Sequence, residues 1–130
     1  MAEGMIFSDR NVTAVSAALA CLIHYDNRQK SRLIKMLIHP HNKVSPSGMY
    51  LVKVHINATN RMIKIDDTLF ESNGKIGLTT TARNELWPAL IEKAILKLYN
   101  CRNFQLKSNP SCEIFHLSGW IPEIIKFSEI

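Results

Sequence analysis

Apolar residues recur with helical period most plainly between Arg83 and Tyr99. Leu86, Leu90, Ala94 and Leu98 follow one another at every fourth position, with Trp87, Ile91 and Ile95 beside them. This places a broad apolar stripe along one side of a helix. Glu85, Glu92, Lys93 and Lys97 fall on the other side. Asn84 is suited to cap the first turn, because its side chain accepts a hydrogen bond from a free N–H. Pro88 stands near the end of that turn, where a missing N–H costs less than in the interior. Glu85 is expected in the same turn, where the helix dipole favours an acid. So wide an apolar face must be buried, and a sheet is expected to cover it.

Upstream, Thr13 to Tyr25 is small and apolar nearly all round, which predicts a buried helix capped by Asn11 or Thr13. Arg28 to Ile38 predicts a second, amphipathic helix, with Leu33, Ile34, Leu37 and Ile38 facing inward. A loop runs from Pro40 to Gly48. Tyr50 to Ile56 is apolar at every even position, as a half-buried strand requires. Asn57–Asn60 is a turn, and Arg61 to Asp66 alternates with Ile63 and Ile65 inward, so the pair predicts a hairpin. Ser72-Asn73-Gly74 marks another tight turn. After Tyr99 the chain is loop-like, with Asn109-Pro110 inside the loop and Ser118-Gly119 marking a turn. Met1 to Asp9 is a flexible lead-in that extends to about residue 12, and residues 13–126 form a single domain.

Composition narrows the class. The chain has 130 residues, 46% apolar and 21% charged, the balance of a soluble globular domain. No run approaches the roughly 18 apolar residues that span a bilayer. The first ten residues lack a basic region followed by an apolar core, so no secretory signal is expected. The sequon Asn57-Ala58-Thr59 is then incidental. Cys21, Cys101 and Cys112 show no ligand spacing. They fit free thiols in a reducing compartment, hence the cytoplasm. The formal charge of +5 can attract nucleic acid or an anionic membrane surface, but it is scattered except for Arg28, Lys30, Arg32 and Lys35.

Four blocks in order carry a family resemblance. Glu85-Leu86-Trp87-Pro88-Ala89-Leu90-Ile91-Glu92-Lys93-Ala94 resembles the E-[LF]-W-x-x-L-[IL]-E-K-A block of calpain-type cysteine proteases. Ile63-Lys64-Ile65-Asp66-Asp67-Thr68-Leu69 is similar to their V-x-I-D-D-x-L-P segment, and Ser47 to His55 to the strand before it. Leu117-Ser118-Gly119-Trp120-Ile121-Pro122-Glu123 resembles L-T-G-W-I-P-E, and with Pro46 to Tyr50 looks most like the atypical PalB-like calpains that lack EF-hands. The resemblance covers about residues 46–123.

The resemblance implies an α+β fold: the first, mainly helical, Cys-bearing lobe of a papain-like core, with a small antiparallel hairpin. The His and Asn of the family come from a second lobe, which is expected to be absent here. The nucleophilic Cys of the family heads a buried helix, where dipole and His hold it as thiolate. The family pattern there is Q-x-x-x-x-D-C, and this chain reads Phe7-Ser8-Asp9-Arg10-Asn11-Val12-Thr13. Thr13 takes the nucleophile position and Phe7 that of the oxyanion donor; a shifted register puts Arg10 there instead. Neither gives a Cys, and a Thr hydroxyl without an adjacent base is a poor nucleophile. Calpains also bind calcium in this lobe through a Glu that matches Glu85. One carboxylate is far short of the roughly six to eight oxygens calcium takes, so Glu85 is expected as a helix acid and no cofactor is expected.

Other clusters have simpler roles. Asp66-Asp67 point to opposite faces of a strand and suit a capping turn. His39-Pro40-His41 lacks a metal partner and reads as loop. His24 and His116 read as packed histidines, Cys21 as a small core residue, Trp87 and Trp120 as core. Arg28, Lys30, Arg32 and Lys35 could meet phosphate, but without an aromatic platform they read as a solvated helix face. Three functions remain: a calpain-like lobe that has lost catalysis and binds a protein partner, one half of a split or truncated active protease, or a small basic nucleic-acid-binding module.

Overall fold

The fold is given by a computed structural model that describes residues 5–6, 14–41, 43–69, 71–72, 75–76, 80–81, 85–99, 109–123, 125 and 127–129. In chain order the elements are β1 (Met5–Ile6), α1 (Ala14–Gln29), a 3-10 turn (Lys35–Leu37), β2 (Ile38–His39), β3 (Met49–Ile56), β4 (Thr59–Asp66), β5 (Glu71–Ser72), β6 (Lys75–Ile76), β7 (Thr80–Thr81), α2 (Trp87–Leu98), α3 (Pro110–Ser118) and a last 3-10 turn (Phe127–Glu129). β2, β3 and β4 make an antiparallel sheet in that order. β1 pairs with β7, and β5 with β6 so that Ser72 faces Lys75. The class is α+β, as expected.

The hairpin and α2 form as their patterns require. Tyr50, Val52 and Val54 on β3 and Ile65 on β4 are buried, with Ile63 half-buried. The turn is shorter than the sequence suggests: Ile56 pairs with Thr59, so only Asn57 and Ala58 turn, at φ of +50° and +60°. Two consecutive left-handed residues match the twist of a tight hairpin. On α2, Leu90, Ile91, Ala94 and Ile95 are buried and join the β3 and β4 residues in one core. α2 begins at Trp87, so Glu85 precedes the helix instead of lying in its first turn. Glu92, set on the polar side by the pattern, is buried. Asn84 lies outside the described residues.

α1 is one-sided, not buried all round. Ala14, Val15, Ala18, Leu19, Leu22 and Ile23 are buried, while Cys21, His24 and Tyr25 are exposed. Cys21 and His24 are therefore surface groups, not core. The segment read as a second helix is not one. Lys30, at φ +53°, ends α1 in the left-handed conformation. The Asp26 carboxylate then accepts N–H bonds from Leu33 and Ile34, at 3.2 and 2.9 Å, and the Ser31 hydroxyl. Those bonds fold the chain into a turn that competes with helix. Ile34, Leu37 and Ile38 still reach the core, but Ile38 does so from an edge strand, opposite Val52, while His39 beside it pairs with Leu51 and is exposed.

α3 replaces part of the expected loop. Asn109 is its N-cap, accepting from the Cys112 N–H at 2.9 Å, and Pro110 opens the helix. Gly119, at φ +78°, closes it. An Asn-Pro pair followed nine residues on by Gly is a helix start and stop, and the turn preference of the same residues hid it. α3 packs on α1 and β3, and α2 on β3, β4 and α1. Trp120 is exposed, edge-on to Tyr25 with ring centroids 4.7 Å apart, and so is not core.

β4 is an edge of its sheet, and α2 covers part of it. Lys97 Nζ donates to the Lys64 carbonyl at 2.6 Å; Lys93 Nζ donates to the carbonyls of Asp66 and Thr68, at 3.0 and 2.6 Å, and to the Asp66 carboxylate. In this register Lys64 and Asp66 turn their carbonyls outward, so the lysines occupy acceptors that another strand could use. The Lys93 hydrogen bond and charge hold the Asp66 carboxyl below its ordinary value.

Two predictions follow from this geometry. Ala58 carries a Cβ in a left-handed turn position, so Ala58→Gly should stabilise the domain by about 0.5–1 kcal/mol, read as a higher urea midpoint at unchanged slope. Because the Asp66 carboxyl is lowered in the folded state, its contribution is present above about pH 4 and lost as pH falls through the folded value. The difference in melting temperature between Asp66→Asn and the parent should therefore shrink below that pH, and Lys93→Met should reduce it above that pH to the part that the Thr68 N–H bond supplies.

Candidate functional site

The family resemblance sets the nucleophile position at the head of the first helix. Thr13, with Phe7, Arg10 and Val12, lies outside the described residues, and the helix begins at Ala14. The free thiols among the described residues are elsewhere. Cys21 is exposed about two turns into α1, and Cys112 is exposed in the first turn of α3. Cys21 lies away from its helix head, and Cys112, though near the head of α3, is far along the chain from the α1 position that the resemblance gives to the nucleophile.

Glu85 has a structural task. Its Oε2 accepts from the Trp87 indole Nε1 at 2.8 Å, a charge-assisted bond that fixes the entry to α2. Trp87 is half-buried against the core, as expected. Among the described residues no three His, Cys, Asp or Glu side chains converge as a metal site would need. Asp66 and Asp67 close the end of the hairpin: Asp66 Oδ1 accepts from Thr68 N–H at 3.2 Å, and Asp67 N–H donates to the Gly48 carbonyl at 2.9 Å. Gly48 stands at φ +72°, a conformation that favours glycine, and a Cβ there would also displace the Asp67 carboxylate, whose Oδ1 it would approach to 2.8 Å.

The histidines divide. His39 and His41 meet edge-on at 5.5 Å, and His41 Nδ1 lies 3.0 Å from the Lys35 carbonyl. His116 is packed as expected. Its Nδ1 is 3.0 Å from the Tyr99 hydroxyl, which donates to Oε1 of the fully buried Glu113 at 3.2 Å; Glu113 Oε2 is 3.5 Å from the same ring nitrogen. This network ties the end of α2 to α3. Sequence reasoning missed it because α3 was hidden; Glu113 and His116, three apart and followed by a C-cap glycine, were the available signal.

The concave surface lies beside Trp87. A cleft of about 230 Å³ is lined by Ile34, Ile38, Val44, Tyr50, Trp87 and Leu90, with Lys35 and Lys43 also on its wall. Its floor is held by the Tyr50 hydroxyl, which accepts from Ser45 N–H at 3.0 Å. A neighbouring cleft of about 320 Å³ is lined by Asp26, Lys30, Ser31, Arg32 and Lys35. Arg28, Lys30, Arg32 and Lys35 are all exposed, on a helix end and turn instead of one helix face.

The family description "calpain family cysteine protease" matches residues 14–129. Calpain-7 of Mus musculus is 37% identical over 116 residues, covering 84% of this chain and 14% of that protein. The calpain-like protease palB of Emericella nidulans is 34% identical over 119 residues, 85% of this chain and 14% of its own length. Androglobin of Homo sapiens is 40% identical over 83 residues, 60% of this chain and 5% of that protein. The chain thus spans about 14% of the length of the calpain relatives it matches. With the family pattern running from the head of α1 through the hairpin, α2 and α3, this chain belongs to the calpain family of cysteine proteases.

Proposed function

We propose that this chain is a calpain-family lobe that has lost catalysis and works in the cytoplasm by holding a protein partner. The observation that carries the reading is the position of its first cysteine. Cys21 is exposed partway along α1, whereas a papain-like nucleophile needs the helix head, where dipole and an adjacent base sustain the thiolate. Thr13 in that place lacks the acidity to substitute. Nothing in the blocks that resemble the family corresponds to the His and Asn of its second lobe.

A second reading has its own observation. Beyond α3, Trp120, Ile121, Ile125 and Phe127 are exposed, Ile121 and Phe127 almost wholly so. Such a run suits a covered surface, and a second protease lobe supplied elsewhere would cover it, making this chain half of an active enzyme. The nucleic-acid reading loses support: Ile91 and Ile95 are core, and Trp87 packs against that core with its indole N–H bonded to Glu85.

The test is intact-mass analysis of the full chain after treatment with an epoxysuccinyl inhibitor of papain-like proteases, alongside cleavage of an unstructured protein substrate. The expected result is no cleavage and no inhibitor-specific adduct, in the purified chain and in material isolated with its natural partners. A single stoichiometric adduct that abolishes a measurable cleavage would overturn the loss of catalysis; seen only with partners present, it would establish the split enzyme.

A further inference from the structure

The cleft beside Trp87 and its neighbour share a wall, since Ile34 and Lys35 line both. The first is apolar and, at about 230 Å³, smaller than the 300–1,000 Å³ typical of cofactor and drug sites. It suits one large apolar side chain. The second carries Lys30, Arg32 and Lys35. Asp26, the one acid among its described lining residues, accepts from the N–H groups of Leu33 and Ile34 and from the Ser31 hydroxyl, so donors already surround that charge. Lys43 adds a further cation on the wall of the apolar cleft. An anchor seated beside Trp87 thus leaves its neighbours along the chain facing three or four cations.

We propose that these clefts together bind an extended peptide segment of a partner protein, an apolar anchor residue followed within a few positions by a run of acidic residues. The anchor enters the pocket between Ile34, Val44, Trp87 and Leu90, and the acids pair with Lys35, Lys30 and Arg32. The apolar cleft gives the binding energy and the cations give register and rate of encounter. A peptide fits better than the other polyanions. A nucleic acid would want exposed aromatic faces along a basic track, whereas Trp87 is half-buried and tied to Glu85; an anionic membrane would want a protruding apolar segment where this surface is concave. The proposal stands whether or not the lobe has lost catalysis.

The experiment is fluorescence polarisation of a short labelled peptide, one leucine followed by a run of glutamates, titrated with the full chain. Saturable binding is expected, weakened at least about tenfold when the leucine is replaced by serine, and again when the glutamates become glutamines. Lys35→Glu and Val44→Asp, both at exposed positions, should each cause a similar loss with the urea midpoint unchanged. Raising salt should weaken the parent peptide and spare the glutamine version. No saturable binding, or binding indifferent to the leucine, would overturn the proposal. So would phosphatidylserine vesicles or a single-stranded oligonucleotide competing more tightly than the peptide, with the same Lys35→Glu sensitivity.

Discussion

The contact between α2 and the β3–β4 hairpin governs the rest of this domain. Ile91 and Ile95 have no exposed surface, and they meet Val52, Val54 and Ile65 in one continuous core that α1 enters with Val15, Leu19 and Leu22. Two strands alone are marginal in water, and a sheet of this size needs a helix on its apolar face. The helix likewise needs the sheet, since most helical stability comes from packing an amphipathic face. Each element is the other's solvent exclusion. Even the polar contacts follow this seating, because Lys93 and Lys97 reach the outer carbonyls of β4 only from a helix placed there.

The elements with strong period were legible in the sequence. The 3.6-residue stripe on α2 and the alternation along β3 each name their buried face, and the register of a hairpin follows from its turn. What failed was local chemistry with two meanings. Leu33, Ile34, Leu37 and Ile38 have helical spacing and are indeed inward, yet the Asp26 carboxylate captures the backbone donors of Leu33 and Ile34 and turns the chain. Asn109-Pro110 reads as turn and serves as cap and first residue of α3. Cys21 and His24 lie on the exposed outer face of a helix of small residues, and Trp120 meets Tyr25 edge-on at the surface. In each case a pattern fixes what is apolar, and a single polar or ring partner decides where the chain goes.

The candidate site was only partly legible for the same reason. Four sequence blocks pointed to the calpain family, and the family match over residues 14–129 bears that out. Glu85 was expected as a first-turn acid, and instead it stands before the helix and holds Trp87. No motif announced the paired clefts, because their walls come from the turn after α1, the loop before β3 and the first turn of α2, which only the fold brings together.

The claim on which the account rests is that α2 and the hairpin form one cooperative unit. Native-state hydrogen exchange, resolved by residue, tests it directly. The account predicts that amides of Val52, Val54 and Ile91 through Ile95 exchange slowest, all with the free energy of global unfolding, while those of α3 open at lower energy. If the α2 amides instead exchange through a local opening well below that of β3, helix and hairpin are separate units and the account fails.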